Sequence, residues 1–331
     1  MGLAQVALAS IDMADTVIGW AQSPAGRVLR TTDGTRTWTD VTPRAATAAA
    51  PSSVNGLAAF AGGSTAWYLD LTTYRVYGAS DGGAAWAPLG AVQPRIPTDG
   101  GIVLDFADSR HGWIEVMSGV HHNRGEIFAT SDDGRTWQAV YEGDVAGDLR
   151  FTDPDHGWLS TGAVLNRTED GGRTWNPVAL PGGAPSWVSL PTPFGTKLLL
   201  AAMREGAGGP RLLLFRSDRT GASWEEIFAQ TVRETSTVAL SVADERHAWV
   251  ALADGSAGWR TEDGGSHWKR FSTPGTVAEM QGFQVVQLDF VSPDVGWMVA
   301  QERKSFAKAL FFTDDGGASW MRVTPASRDS R

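Results

Sequence analysis

Histidine and aspartate recur in this sequence at a fixed spacing. Asp108 to Trp113 reads Asp-Ser-Arg-His-Gly-Trp, Asp153 to Trp158 reads Asp-Pro-Asp-His-Gly-Trp, and Asp244, His247 and Trp249 repeat the pattern with alanine before the tryptophan. A carboxylate three residues before an imidazole can orient it as a base or a metal ligand, but a metal site needs its ligands to converge. His111, His156 and His247 fall at equivalent places in different copies of a repeat, so a structural role in a turn is expected and no metal site. His121 and His122 are different, because they lie in a non-repeated stretch beside Arg124 and Glu126. Adjacent residues on a strand point to opposite sides, so they are read as partner-contact candidates and not as ligands of one ion. Tyr141 and Glu142 form the one nucleophile-and-carboxylate pair suited to glycoside hydrolysis. No phosphate-cradling Gly loop opens a helix, and no cofactor is expected.

The groups that could do chemistry are embedded in a larger periodicity. A Gly-rich turn followed by tryptophan occurs seven times, ending at Trp38, Trp86, Trp137, Trp175, Trp224, Trp268 and Trp320, and the six intervals average 47 residues. That spacing fits one four-stranded propeller blade per repeat. Upstream of most turns an alternating strand leads to a second tryptophan: Trp20, Trp67, Trp113, Trp158, Trp249 and Trp297. Thirteen of the fifteen tryptophans are thereby assigned to architecture, leaving Trp187 and Trp259. The predicted fold is an all-β, single seven-bladed β-propeller of four-stranded antiparallel blades, with blades at about 5–42, 54–90, 101–141, 148–180, 187–229, 236–272 and 284–325. In the clearest copies, Thr130 to Trp137 and Thr168 to Trp175, the aspartate can accept backbone N–H groups of its own turn, and Gly134 and Gly172 permit positive φ. Asp33, Asp81, Asp132, Asp170, Asp263 and Asp315 are therefore read as structural.

This turn resembles the Asp-box, or BNR, repeat, Ser/Thr-x-Asp-x-Gly-x-x-Trp. Three copies depart from it: the first has Thr35 at the glycine position, the fifth has Arg219 at the aspartate position, and the second opens with Ala79. These three turns are expected to be the less regular, with Trp38, Trp224 and Trp86 still holding the phase. Seven boxes combined with Asp-x-x-His-Gly-Trp elements look most like the Ycf48-like group of photosystem II assembly factors. That resemblance implies a scaffold that holds a protein or peptide and performs no catalysis. The alternative is a sialidase-like or other glycoside hydrolase acting on a polar glycan, since Asp boxes are frequent there and Pro94-Arg95-Ile96-Pro97 is similar to the Arg-Ile-Pro element that opens sialidases. It is disfavoured because the element follows the second box instead of preceding the first. Sortilin-type receptors share the boxes, but the chain lacks their size and cysteine-rich appendage.

In a blade with strands A to D running outward, A–B and C–D turns share one face, while B–C and D–A connections share the other. The repeats occupy the first face, so function is expected on the second, whose loops vary. The candidates there for ligand or partner contact are Arg95, His121, His122, Arg124, Glu142, Arg204, Arg233, Glu302, Arg303 and Lys304. A net charge of −9 with no basic run argues against general nucleic-acid binding. The absence of cysteine excludes disulfides and thiolate chemistry. No apolar stretch reaches the ~18 residues needed to span a bilayer, so no membrane insertion is expected. Met1 to Gln5 lead straight into a strand-like segment without a signal pattern. A monomer is expected, in an extracytoplasmic compartment after removal of a signal in preference to the cytoplasm.

Overall fold

The computed structural model describes residues 5–44, 55–119, 124–233, 237–274 and 276–328. Its strands form seven antiparallel blades of four strands in sequence order, the architecture of an all-β seven-bladed β-propeller. Two compact units emerge from the contacts: Met1–Val41, Thr192–Arg219 and Glu225–Arg331 in one, Thr42–Pro191 and Thr220–Trp224 in the other.

The second unit holds blades 2, 3 and 4. Blade 3 shows why the strands form where they do. Its second strand, Gly112–Ser118, is buried along its whole length, and its fourth, Gln138–Gly143, is largely exposed. A strand covered on both sides needs a continuous apolar run, and one at the outer edge does not. The core lies in the wedges between successive blades. Trp67 of blade 2 stacks on Phe106 of blade 3 at 3.8 Å, and Trp113 of blade 3 stacks on Phe151 of blade 4 at 3.6 Å. Each phenylalanine also meets the Asp-box tryptophan of its own blade edge-on, Trp137 at 6.1 Å and Trp175 at 6.0 Å. The glycines before Trp113 and Trp158 are thereby explained, because a Cβ on Gly112 or Gly157 would lie 2.5 Å from the ring of Phe106 or Phe151.

The first unit holds blades 1, 5, 6 and 7. Trp249 stacks on Phe290 at 3.8 Å, repeating the same interlock between blades 6 and 7. Blade 5 has no inner tryptophan and uses an apolar run instead, with Leu198 to Met203 buried throughout. Blades 7 and 1 are joined by polar groups of their first strands. Gln287 exchanges two hydrogen bonds with the backbone of Ile11, and Asp289 accepts the Met13 N–H at 2.8 Å.

Ala326–Arg328 pairs in parallel with Thr37–Asp40 as a fifth, outermost strand of blade 1. Val6 donates to the Pro325 carbonyl at 3.0 Å, and Arg328 lies 3.2 Å from Asp33. The open edge of blade 1 supplies the pairing, so the added segment needs little β character of its own. One expectation is corrected: the first Asp box is as regular as the third and fourth. Thr35 adopts φ 72°, its N–H donates to Thr31 Oγ1, and its hydroxyl accepts the Trp297 indole N–H at 3.1 Å, a bond that glycine could not make.

Candidate functional site

The Asp-box carboxylates are consumed within their own turns. Asp170 Oδ1 accepts the Thr168 hydroxyl and the amides of Arg173 and Thr174, while Oδ2 accepts the Thr174 hydroxyl at 2.7 Å. Burial pushes this carboxyl up, but the hydroxyl and amide of Thr174 lead the bonds that bring it below its ordinary value. Asp33, Asp132 and Asp315 show the same pattern, His267 replaces the hydroxyl at Asp263, and Asp81 accepts the Ala85 amide. The repeated histidines are equally local: Nδ1 of His111, His156 and His247 lies 2.8–2.9 Å from Asp108, Asp153 and Asp244, which also accept the histidines' own backbone amides. Among the described residues no three His, Cys, Asp or Glu side chains gather as a metal site.

These turns have a second use that the sequence did not disclose, as acceptors for the preceding blade. The indoles of Trp113 and Trp249 donate to the carbonyls of Gly171 and Gly316 at 3.1 and 3.0 Å. Arg167, Arg216 and Arg260 donate likewise to the carbonyls of Thr220, Gly264 and Gly316. The Arg-Thr and Arg-Ser pairs that open those boxes were the available signal.

On the opposite face the non-repeated residues separate into two neighbourhoods. In the second unit, Arg124 pairs with Glu142. Tyr141 does not join Glu142 in a catalytic pair, because its hydroxyl accepts the Val145 amide at 3.2 Å, while Glu142, the next residue on the strand, turns to Arg124. His121 and His122 lie outside the described residues. Arg95 donates its backbone N–H to Glu126 Oε2 at 2.7 Å. Glu126 and Glu115 are buried carboxylates in the third and second strands of blade 3, at 0% exposure. They are not legible as a pair because each sits beside apolar neighbours in a different strand, with nothing local to link them. Glu115 accepts the Gly147 N–H at 3.1 Å, and burial, opposed by that bond and reinforced by Asp148, pushes its carboxyl up to about 8. Each glutamate thus fixes one of the two connections that flank blade 3.

In the first unit the sequence candidates Arg233 and Arg303 come together. They line an open cleft of about 770 Å³ with Arg270, Trp259 and Asp254. The Arg270 guanidinium lies 4.4 Å from the Trp259 ring centre, and Arg303 donates to the Asp254 carbonyl at 2.5 Å. Arg233 comes from the connection after blade 5, Arg303 from the B–C loop of blade 7, and the rest from blade 6. Arg204 is half-buried at the end of the second strand of blade 5, opposite Arg211. Lys304 is exposed beside Arg303, and Glu302 accepts the Ser305 hydroxyl in the same loop. Trp259 was one of the two tryptophans without a place in the repeat, which was the available signal for this cleft.

Comparison with known proteins agrees with the geometry. Residues 213–329 match the family model Sortilin-Vps10, described as Sortilin, neurotensin receptor 3. The photosystem II assembly lipoprotein Ycf48 of Synechococcus sp. (strain CC9902) is 30% identical over 192 residues, 53% of this chain. The match spans about half of that relative, 55% of its length. A solved structure described as YCF48 bound to D1 peptide superposes with a TM-score of 0.63 at 19% identity, over 95% of this chain and 94% of that one. The GH74 enzyme of Niastella koreensis superposes at 0.57 with 10% identity, over 97% of this chain and 67% of that one, which is a likeness of fold. The chain is a seven-bladed Asp-box propeller that is similar to Ycf48 in sequence over about half its length and in fold over nearly all of it.

Proposed function

We propose that this chain is a non-catalytic scaffold that holds an acidic, extended segment of a protein partner against its B–C and D–A loops. The observation that carries this reading is the cleft where Arg233 from the connection after blade 5, Arg270 of blade 6 and Arg303 of blade 7 converge, in a chain whose net charge is −9. Guanidinium groups are suited to carboxylates through paired N–H donors. A cationic cleft favours anionic partners through its local field. Two further observations support it: the Ycf48 structure named above holds a peptide, and the Asp boxes and Tyr141 of this chain are occupied with internal bonds.

The test is selection of random dodecapeptides displayed on phage against the purified chain, followed by synthesis of the enriched sequences. Enrichment of Asp and Glu is expected, with affinity at least tenfold lower for the Arg233→Ala/Arg303→Ala double variant at unchanged melting temperature. Peptides without acidic residues, or binding indifferent to the double variant, would overturn the proposal. So would hydrolysis of xyloglucan or fluorogenic sialosides by the purified chain, which would restore the glycan reading.

A further inference from the structure

Four non-glycine residues among those described adopt positive φ: Thr35, Tyr74, Asp133 and Phe306. A side chain in the left-handed region is disfavoured and persists only where its surroundings determine it. For three of the four the structure supplies the reason. Thr35 and Asp133 accept the indole N–H groups of Trp297 and Trp67 at 3.1 and 2.9 Å. Tyr74 is half-buried and packs against the wedge between blades 2 and 3.

Phe306 has no such reason within the fold. It closes the B–C turn of blade 7 just as Tyr74 closes that of blade 2. Both amides donate back to the carbonyl four residues earlier, Phe306 to Glu302 at 2.9 Å and Tyr74 to Asp70 at 2.7 Å. In both turns the residue just before the aromatic donates its hydroxyl to the side chain of that first acid, Ser305 to Glu302 and Thr73 to Asp70. Tyr74 packs inward, whereas Phe306 is 71% exposed. Glycine would meet the backbone demand without cost and without exposing a ring. The loop is nevertheless firmly held: Glu302 donates to the Ala307 carbonyl and Arg303 to the Gly282 carbonyl, each at 2.9 Å, and the Arg303 side chain reaches the Asp254 carbonyl in the cleft. A preorganised aromatic beside two exposed cations, Arg303 and Lys304, has the composition of an interface anchor.

We infer that Phe306 is a binding platform for a bulky apolar side chain of the bound peptide, flanked there by carboxylates that meet Arg303 and Lys304. This rests on the scaffold reading and narrows its partner to an acidic segment carrying an apolar residue. The probe is the enriched dodecapeptide together with a version whose apolar residue is replaced by alanine. Phe306→Ala and Phe306→Gly are expected to weaken the parent peptide about tenfold, Phe306→Leu to retain most of its affinity, and the alanine peptide to lose little further on either variant. Wild-type affinity in Phe306→Ala and Phe306→Gly, with the Arg233/Arg303 double variant still impaired, would overturn this inference and leave the scaffold standing. Failure of the wild-type chain to bind any acidic peptide would remove both.

Discussion

Glu115 offers a sharp test of how burial governs this fold. Its side chain is fully enclosed in the second strand of blade 3, Oε1 accepts the Gly147 amide, and Oε2 has no hydrogen-bond partner among the described residues. Burial raises the carboxyl from 4.5 to about 8. Between those values the native state keeps a proton that the unfolded chain releases. Stability therefore falls as pH rises through this window and levels off above it. At ~1.4 kcal/mol per unit the full interval corresponds to ~5 kcal/mol, and relaxation around the newly charged group reduces the expected loss to about 2–3 kcal/mol. Glu115→Gln keeps an acceptor for Gly147 and stays neutral. Urea unfolding of both proteins should give stabilities within about 1 kcal/mol at pH 5.5, with the variant ahead by about 2–3 kcal/mol at pH 8.5. Other ionisable groups cancel in the difference. A gap of constant size between pH 5.5 and 8.5 would refute the claim that the native carboxyl is protonated.

Asp170→Ala, which strands the amides and hydroxyls of one Asp-box turn, should cost about 1–2 kcal/mol in urea unfolding and leave peptide affinity unchanged. Gly157→Ala places a Cβ 2.5 Å from the Phe151 ring; a destabilisation of about 2 kcal/mol or more is expected, and a neutral effect would show that the seam can open. Phe306→Gly should raise stability by about 0.5–1 kcal/mol by relieving the left-handed backbone, measured as a higher melting temperature. Truncation after Thr324 removes the strand that covers Thr37–Asp40, so hydrogen exchange of the Thr37–Asp40 amides should quicken while that of Gly112–Ser118 stays as it was.

Repetition decided what could be read from the chain alone. The Gly-Trp pairs and Asp boxes were legible because each copy solves the same local problem: Gly112 makes room for Phe106, and Asp170 satisfies its own turn. Features that depend on partners far along the chain were not. Ala326–Arg328 is three residues long and becomes a strand only against the edge of blade 1. Glu115 and Glu126 sit beside apolar neighbours in different strands, with nothing local to show that they clamp the amides of Gly147 and Arg95. Arg233 and Arg303 were picked out singly as loop cations. Their meeting with Arg270 over Trp259 is a product of three elements, which spacing does not encode.

Departures from the repeat consensus carry little functional information, for a reason visible at the seams. From blade 3 to blade 7 each seam has a donor to a turn carbonyl of the next blade, and either an indole or a guanidinium supplies it. Between blades 3 and 4 Trp113 does so alone, between blades 5 and 6 Arg216 does so in the absence of an inner tryptophan, and between blades 6 and 7 Trp249 and Arg260 share the Gly316 carbonyl. The fifth box, where Arg219 replaces the aspartate, still offers its Thr220 carbonyl, and Arg167 takes it while the Trp158 indole has no partner among the described residues. Such redundancy lets individual boxes drift without opening the seam, so drift on that face reflects tolerance. On the other face Phe306 differs from Tyr74, its counterpart in blade 2, in being exposed, and Arg233 and Arg303 meet in one cleft. A shared cationic cleft and an exposed, strained aromatic in one loop are therefore better explained by a partner than by the fold.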